Sequence, residues 1–98
     1  MPTWPSARKT CVVPEVSRFF GIVIRMFHND HEPPHFHAQY GAETGWITID
    51  GPELFRGSLP RRQLQLVLAW ATLHRDELRL NWNRARAGQS VERVAPLT

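Results

Sequence analysis

His28-Asn29-Asp30-His31-Glu32-Pro33-Pro34-His35-Phe36-His37-Ala38-Gln39-Tyr40-Gly41 is the stretch on which the reading of this chain turns. Its second half alternates. His35, His37 and Gln39 fall on one side of an extended chain, and Phe36, Ala38 and Tyr40 fall on the other. The apolar set packs on a core in this reading, which leaves His35 and His37 together on the outward face. Pro33 and Pro34 hold φ near −65° and press Glu32 and Pro33 into extended geometry, so a stiff crossover leads into the strand. His28, Asn29 and Asp30 read as a turn, because Asn and Asp bond their own backbone.

Working outward, Phe19 to Phe27 is rich in β-branched and aromatic residues and holds one charge, Arg25, so it reads as one buried strand with Gly21 marking a bulge or a close approach. On the other side, Gly41 to Gly45 has the length and composition of a hairpin loop, and Trp46 to Asp50 alternates as the next strand. Gly51-Pro52 makes a turn, and Glu53 to Gly57 is a short fourth strand.

A long amphipathic stretch follows. Leu64, Leu68, Ala71, Leu78, Trp82 and Ala85 recur at spacings near a helical turn, with Ser58 placed to cap the start and Gly88 to end it. One helix from Leu59 to Ala87 would run roughly 43 Å at 1.5 Å per residue, long for so small a domain. A break near His74-Arg75-Asp76 is expected, and Val91 to Val94 reads as an added edge strand. The fold class that emerges is α+β: an antiparallel sheet of three to four strands packed against a long C-terminal helix or helix pair.

Ninety-eight residues suit one domain. Residues 1–13, with two prolines and no period, read as a disordered or loosely attached extension, and residues 14–98 as a single α+β domain. The single cysteine, Cys11, excludes an internal disulfide and suits a reducing compartment. No apolar run approaches a membrane span, and prolines and Glu15 interrupt any signal-like segment, so the expectation is a cytoplasmic protein with no membrane partner. Charge is uneven: residues 1–50 carry a net −1 and residues 51–98 a net +4, and eleven of the twelve cations are arginine. Arginine favours bidentate contact with phosphate or carboxylate; a set of solvated helix faces is the plain alternative.

Pro14 to Ile24, the Asn-Asp-His-x-Pro-Pro-His-Phe-His run from Asn29 to His37, Leu59-Pro60-Arg61-Arg62, and Leu68-Ala69-Trp70 to Asn81-Trp82 together resemble the small prokaryotic family labelled domain of unknown function 4160, over residues 14–97. Members of that family often stand beside a second family, labelled domain of unknown function 2442, in an arrangement that resembles a toxin–antitoxin module. The resemblance implies a partner protein encoded by the neighbouring gene. The family usually begins with methionine directly before Pro-Glu, where this chain has Val13, so the resemblance also implies that Val13 is the native start.

Three functional readings of the histidine stretch stay open. In the first, His35 and His37 act in acid–base cleavage of RNA, since imidazole titrates near neutral pH. His31 stands beside them, Asp30 supports binding, and Arg25, Arg61 and Arg62 hold phosphate. In the second, His28, His31, His35 and His37 ligate a metal with Asp30 and Glu32 in reserve, although their spacing matches no standard zinc pattern. In the third, the face binds RNA or a protein without breaking a bond. A structural role, with Asp30, His31 and His35 pinning the Pro-Pro crossover, stands beside all three. Taken with the family resemblance, the first is preferred: a toxin-like protein acting on or binding RNA, with no metal and no cofactor, and a non-catalytic protein-interaction or metal-binding module as the alternative.

Overall fold

The computed structural model describes residues 15–28 and 30–98. The expected N-terminal extension and Cys11 lie outside them. Five strands run as an antiparallel meander in chain order: β1 (Glu15–Phe19), β2 (Ile22–Arg25), β3 (His35–Tyr40), β4 (Glu43–Thr48) and β5 (Leu54–Gly57). Two helices follow, α1 (Arg61–Leu73) and α2 (Arg75–Arg86). The arrangement is α+β, as its alternation and helical spacing imply.

The sheet has one strand more than expected, because Phe19 to Phe27 is not a single strand. Phe19 pairs directly with Ile22, and Phe20 and Gly21 form a two-residue turn with φ of 48° and 79°. Two consecutive positive φ values are the mark of the type I′ hairpin, normally signalled by Asn-Gly. With phenylalanine in the first position, the turn hides inside an apolar run. The β3–β4 loop is also shorter than Gly41–Gly45: Tyr40 pairs with Glu43, so Gly41 and Ala42 alone make the turn.

One face of the sheet builds the core. Ile22, Ile24, Phe36, Ala38, Ile47 and Ile49 are fully buried there, opposite Val67, Trp70, Ala71 and Leu78 of the helices. The Trp70 ring lies 5.2 Å from Phe19 and 5.7 Å from Phe36, centroid to centroid. Burying such side chains supplies about 1.5–3 kcal/mol each.

The helical stretch breaks at His74 (φ −115°, ψ 26°), where Asp76 and Glu77 open α2 in the acid-rich first turn that a helix dipole favours. His74 itself meets Glu77 at 2.6 Å. Ser58 does not cap α1. Pro60 occupies the cap position, and the Ser58 hydroxyl donates to Glu43 Oε1 at 3.1 Å, tying the linker to β4. Gly88, at φ 75°, ends α2 as expected.

Val91 to Val94 adds no strand. The tail is held by single bonds: Val94 N–H donates to the Val16 carbonyl (2.9 Å), Trp70 Nε1–H to the Ala95 carbonyl (2.8 Å), and buried Asn81 exchanges two bonds with the backbone of Glu92.

Candidate metal centre

β3 carries its histidines on the face opposite the core, as alternation requires, but that face is not open. His35 is 2% exposed and His37 8%. The expectation of an outward pair is corrected here, and the covering residues give the reason. The His35 ring stacks on Trp46 (5.3 Å between centroids, 5° between planes) and meets Phe55 edge-on and Trp82 obliquely, each at 5.3 Å. His37 packs between Phe27 at 4.5 Å and Trp46 at 4.6 Å. Trp46 comes from the next strand, and Trp82 from α2.

Phe55 reaches this face through an irregularity in β5. Trp46 pairs with Arg56 and Ile47 with Leu54, so Phe55 is an extra residue between two ladder partners. A bulge of this kind turns neighbouring side chains toward one side. Phe55 and Arg56 both meet Trp46 as a result.

The crossover returns Asp30 to the strand. Asp30 Oδ2 lies 3.0 Å from His37 Nε2 and 3.0 Å from His35 Nε2. Its other oxygen accepts the His31 backbone N–H at 2.9 Å, which fixes the carboxylate. The two contacts to Oδ2 differ in kind. His37 makes a hydrogen bond. His35 Nδ1 lies 2.7 Å from the Pro33 carbonyl, which can only accept, so Nδ1 carries a proton, and in the neutral imidazole Nε2 carries the lone pair. That Nε2 is buried and has no hydrogen-bond partner among the described residues, although it faces a carboxylate oxygen. The Glu32–Pro33 peptide within the crossover is cis.

One ligand atom from each of Asp30, His35 and His37 lies within 4.8 Å of the others. An ion with ligands at about 2.1 Å sets adjacent donor atoms about 3.0–3.4 Å apart, so small side-chain movements complete the set. The Pro33 carbonyl on His35 Nδ1–H is the kind of outer hydrogen bond that fixes a ligating imidazole.

Charge states suit ligation. Burial is the largest influence on His37 and pushes its pKa below 6.5, with His35 adding to the effect and the Asp30 hydrogen bond opposing it. Burial also works against the Asp30 carboxylate. The hydrogen bonds from His37 and the His31 N–H, with the charge of the two imidazoles, outweigh it and hold Asp30 below 3.8. A neutral imidazole beside an ionised carboxylate needs no net proton loss to accept a cation, only a shift of the His37 proton from Nε2, where it bonds Asp30, to Nδ1.

The remaining sequence-derived residues separate. His28 and His31 are exposed, and neither imidazole joins the cluster. Arg61 and Arg62 open α1, the helix whose Trp70 packs on the Phe36 face of the sheet, and Arg62 lines a shallow cavity with Phe20, Gln63 and Leu66. Arg25 is the Cα partner of His37 and shares its face.

Residues 21–83 match the family described as Domain of unknown function (DUF4160). The chain belongs to that family. No curated protein and no solved structure matches it. The DUF4160 span contains Asp30, His35 and His37 together with Trp46, Phe55 and Trp82, the residues that cover them. Spacing alone does not disclose that cover, since Phe55 and Trp82 stand far from β3 in the chain. The signal available in the sequence is narrower: a His-x-His on one strand with a carboxylate a few residues upstream.

Proposed function

We propose that the protein holds a divalent first-row transition metal, zinc or iron(II), on Asp30, His35 Nε2 and His37 Nε2. The buried, unpartnered lone pair of His35 Nε2, aimed at the oxygen that also meets His37, carries this reading. Two lone-pair-bearing atoms at 3.0 Å repel unless a cation or proton lies between them. Two histidines and one carboxylate are a donor set used for zinc and non-haem iron, and three protein ligands leave positions for water and substrate. Bound zinc would lower the pKa of a water on it to about 7, so hydrolysis is the chemistry that these three residues would support. Metal analysis of protein purified without a histidine tag tests this. Near-stoichiometric uptake of zinc or iron(II), lost in His35→Ala/His37→Ala, is expected. Wild-type protein that takes up neither metal overturns the reading.

The hydrogen bond between His37 Nε2 and Asp30 Oδ2 favours a second reading, in which His37 is a metal-independent acid–base group for RNA cleavage oriented by Asp30. The family resemblance supports the setting for that role: a cytoplasmic, toxin-like member of a two-gene module whose neighbour restrains it. RNA cleavage that persists with chelator present, and growth arrest on induction that His37→Ala abolishes, are its expected results. No cleavage and no arrest remove it.

A further inference from the structure

One row of residues crosses the sheet on the face of the Asp30–His35–His37 cluster. Arg25 on β2 pairs with His37 on β3, His37 pairs with Trp46 on β4, and Trp46 pairs with Arg56 on β5. Paired residues on neighbouring strands share a face, so the two arginines flank the cluster, one on either side. Their Cα atoms stand three strand spacings apart, about 14 Å, a span that two extended arginine side chains can close from both ends.

These guanidiniums differ from most others in the molecule. Arg18, Arg75, Arg79, Arg84, Arg86 and Arg93 each meet a carboxylate. Arg25 and Arg56 meet none among the described residues. What positions them is neutral: Arg25 Nη1 donates to the Gln39 side-chain carbonyl, and the Arg56 guanidinium lies over the Trp46 ring, 4.7 Å from its centroid. An amide and an indole fix a guanidinium without cancelling its charge. Arg56 is exposed and Arg25 half-buried, so both can be reached by a ligand. Arg61 and Arg62 also lack a carboxylate, but they belong to the helix packed on the other face.

Beside Arg56 on the same face stands Phe55, 40% exposed, with its inner surface held edge-on by Trp46 and His35. An aromatic ring fixed on one side and open on the other is a stacking surface for a base.

We infer that the Arg25–His37–Trp46–Arg56 row is the binding surface for a nucleotide phosphate, with Arg25 and Arg56 on the phosphoryl oxygens and Phe55 against the base. The inference deepens the metal reading and rests on it for the chemistry that follows binding. The phosphate chemistry is shared by a free nucleotide and by an RNA strand, so the test carries both.

Zinc-loaded protein is titrated with inorganic phosphate, adenosine monophosphate and a short single-stranded RNA oligomer, with bound metal measured in the same samples. Adenosine monophosphate is expected to bind more tightly than inorganic phosphate. Arg25→Gln/Arg56→Gln is expected to weaken it about tenfold or more while keeping its zinc. If RNA is the source, the oligomer binds most tightly. Its dependence of log K on log salt then falls by about 1.4 in the double variant, two phosphate contacts at about 0.7 each. Arg61→Gln/Arg62→Gln is the control and is expected to bind as wild type does. Unchanged binding in Arg25→Gln/Arg56→Gln, an equal loss in the control, or no binding of any probe to zinc-loaded wild type overturns the inference. Absence of zinc from the wild type overturns the metal reading, and the titrations still report on the row.

Discussion

His35 Nε2 and Asp30 Oδ2 lie 3.0 Å apart with no hydrogen bond between them. The Pro33 carbonyl accepts the Nδ1–H on the far side of the ring, so with a neutral imidazole two acceptors face each other in a site walled by Trp46, Phe55 and Trp82. Unsatisfied buried polar atoms cost about 1–3 kcal/mol. A fold whose only demand here was a tight crossover would gain by replacing either group.

Asp30→Asn separates the ligand role from the structural one. With the amide nitrogen in the place of Oδ2, its two N–H groups can donate to His35 Nε2 and, once the His37 proton sits on Nδ1, to His37 Nε2, while the amide oxygen keeps the His31 N–H. The metal-free variant is therefore expected to melt at or above the wild-type temperature. Its metal affinity is expected to fall by more than the ~10–100-fold typical of losing an outer partner, because a charged ligand is gone. Calorimetry with chelator and with zinc reads both effects. Lower metal-free stability with unchanged affinity would assign Asp30 to structure alone.

The two titrating groups give the metal-free protein a defined pH dependence. Burial holds His37 below 6.5, so the unfolded chain takes up this proton first. The stability that neutral His37 contributes is complete above 6.5 and drains away as pH falls from there toward the depressed folded value. Asp30, also depressed, contributes above 3.8, and that contribution is lost only as pH falls further through its folded value. Urea midpoints measured in chelator should decline in two steps, and His37→Gln should abolish the upper one. A flat profile between pH 7 and 5 would contradict the buried, neutral state of His37.

Gly57 tests the geometry that brings Phe55 and Arg56 to the site. It sits at φ 79°, and a Cβ there would come within 2.1 Å of the Thr44 carbonyl oxygen on β4. Gly57→Ala therefore combines an unfavourable backbone region with a backbone clash and should cost well over the ~1–2 kcal/mol of the conformation alone. Gly51, at φ 68° with nothing within 4 Å of its Cβ position, should cost only that smaller amount as alanine. Chemical denaturation of the two variants compares them directly, and equal losses would show that β5 yields without strain.

Much of this arrangement can be read from the chain before any coordinates. Alternation from His35 to Tyr40 places both histidines opposite the core, and helical spacing with Asp76 places the break at His74. What hides is non-local. The burial of the histidines depends on Trp82 from α2 and on Phe55, which a bulge of one extra residue turns inward. Asp30 looks like a turn former because its neighbours are. Only the folded crossover shows that one of its oxygens meets two imidazoles. The β1–β2 turn hides because a phenylalanine stands where asparagine usually signals it.

That phenylalanine supports a last prediction. Phe20 is 57% exposed and holds φ at 48°, a region that asparagine tolerates far better than an aromatic residue. Phe20→Asn would create Asn-Gly at the two central positions of a type I′ turn, the strongest short hairpin signal. It would give up an edge-on contact with Phe19 (6.4 Å between centroids) and part of a shallow cavity wall against Arg62 and Leu66. An exposed ring contributes little burial, and the strain relieved belongs to every folded molecule. The variant is expected to gain about 0.5–1 kcal/mol, the range of comparable backbone-matching substitutions, seen as a higher urea midpoint at unchanged slope. A lower midpoint would mean that the contacts of Phe20 with Phe19 and α1 outweigh its backbone strain.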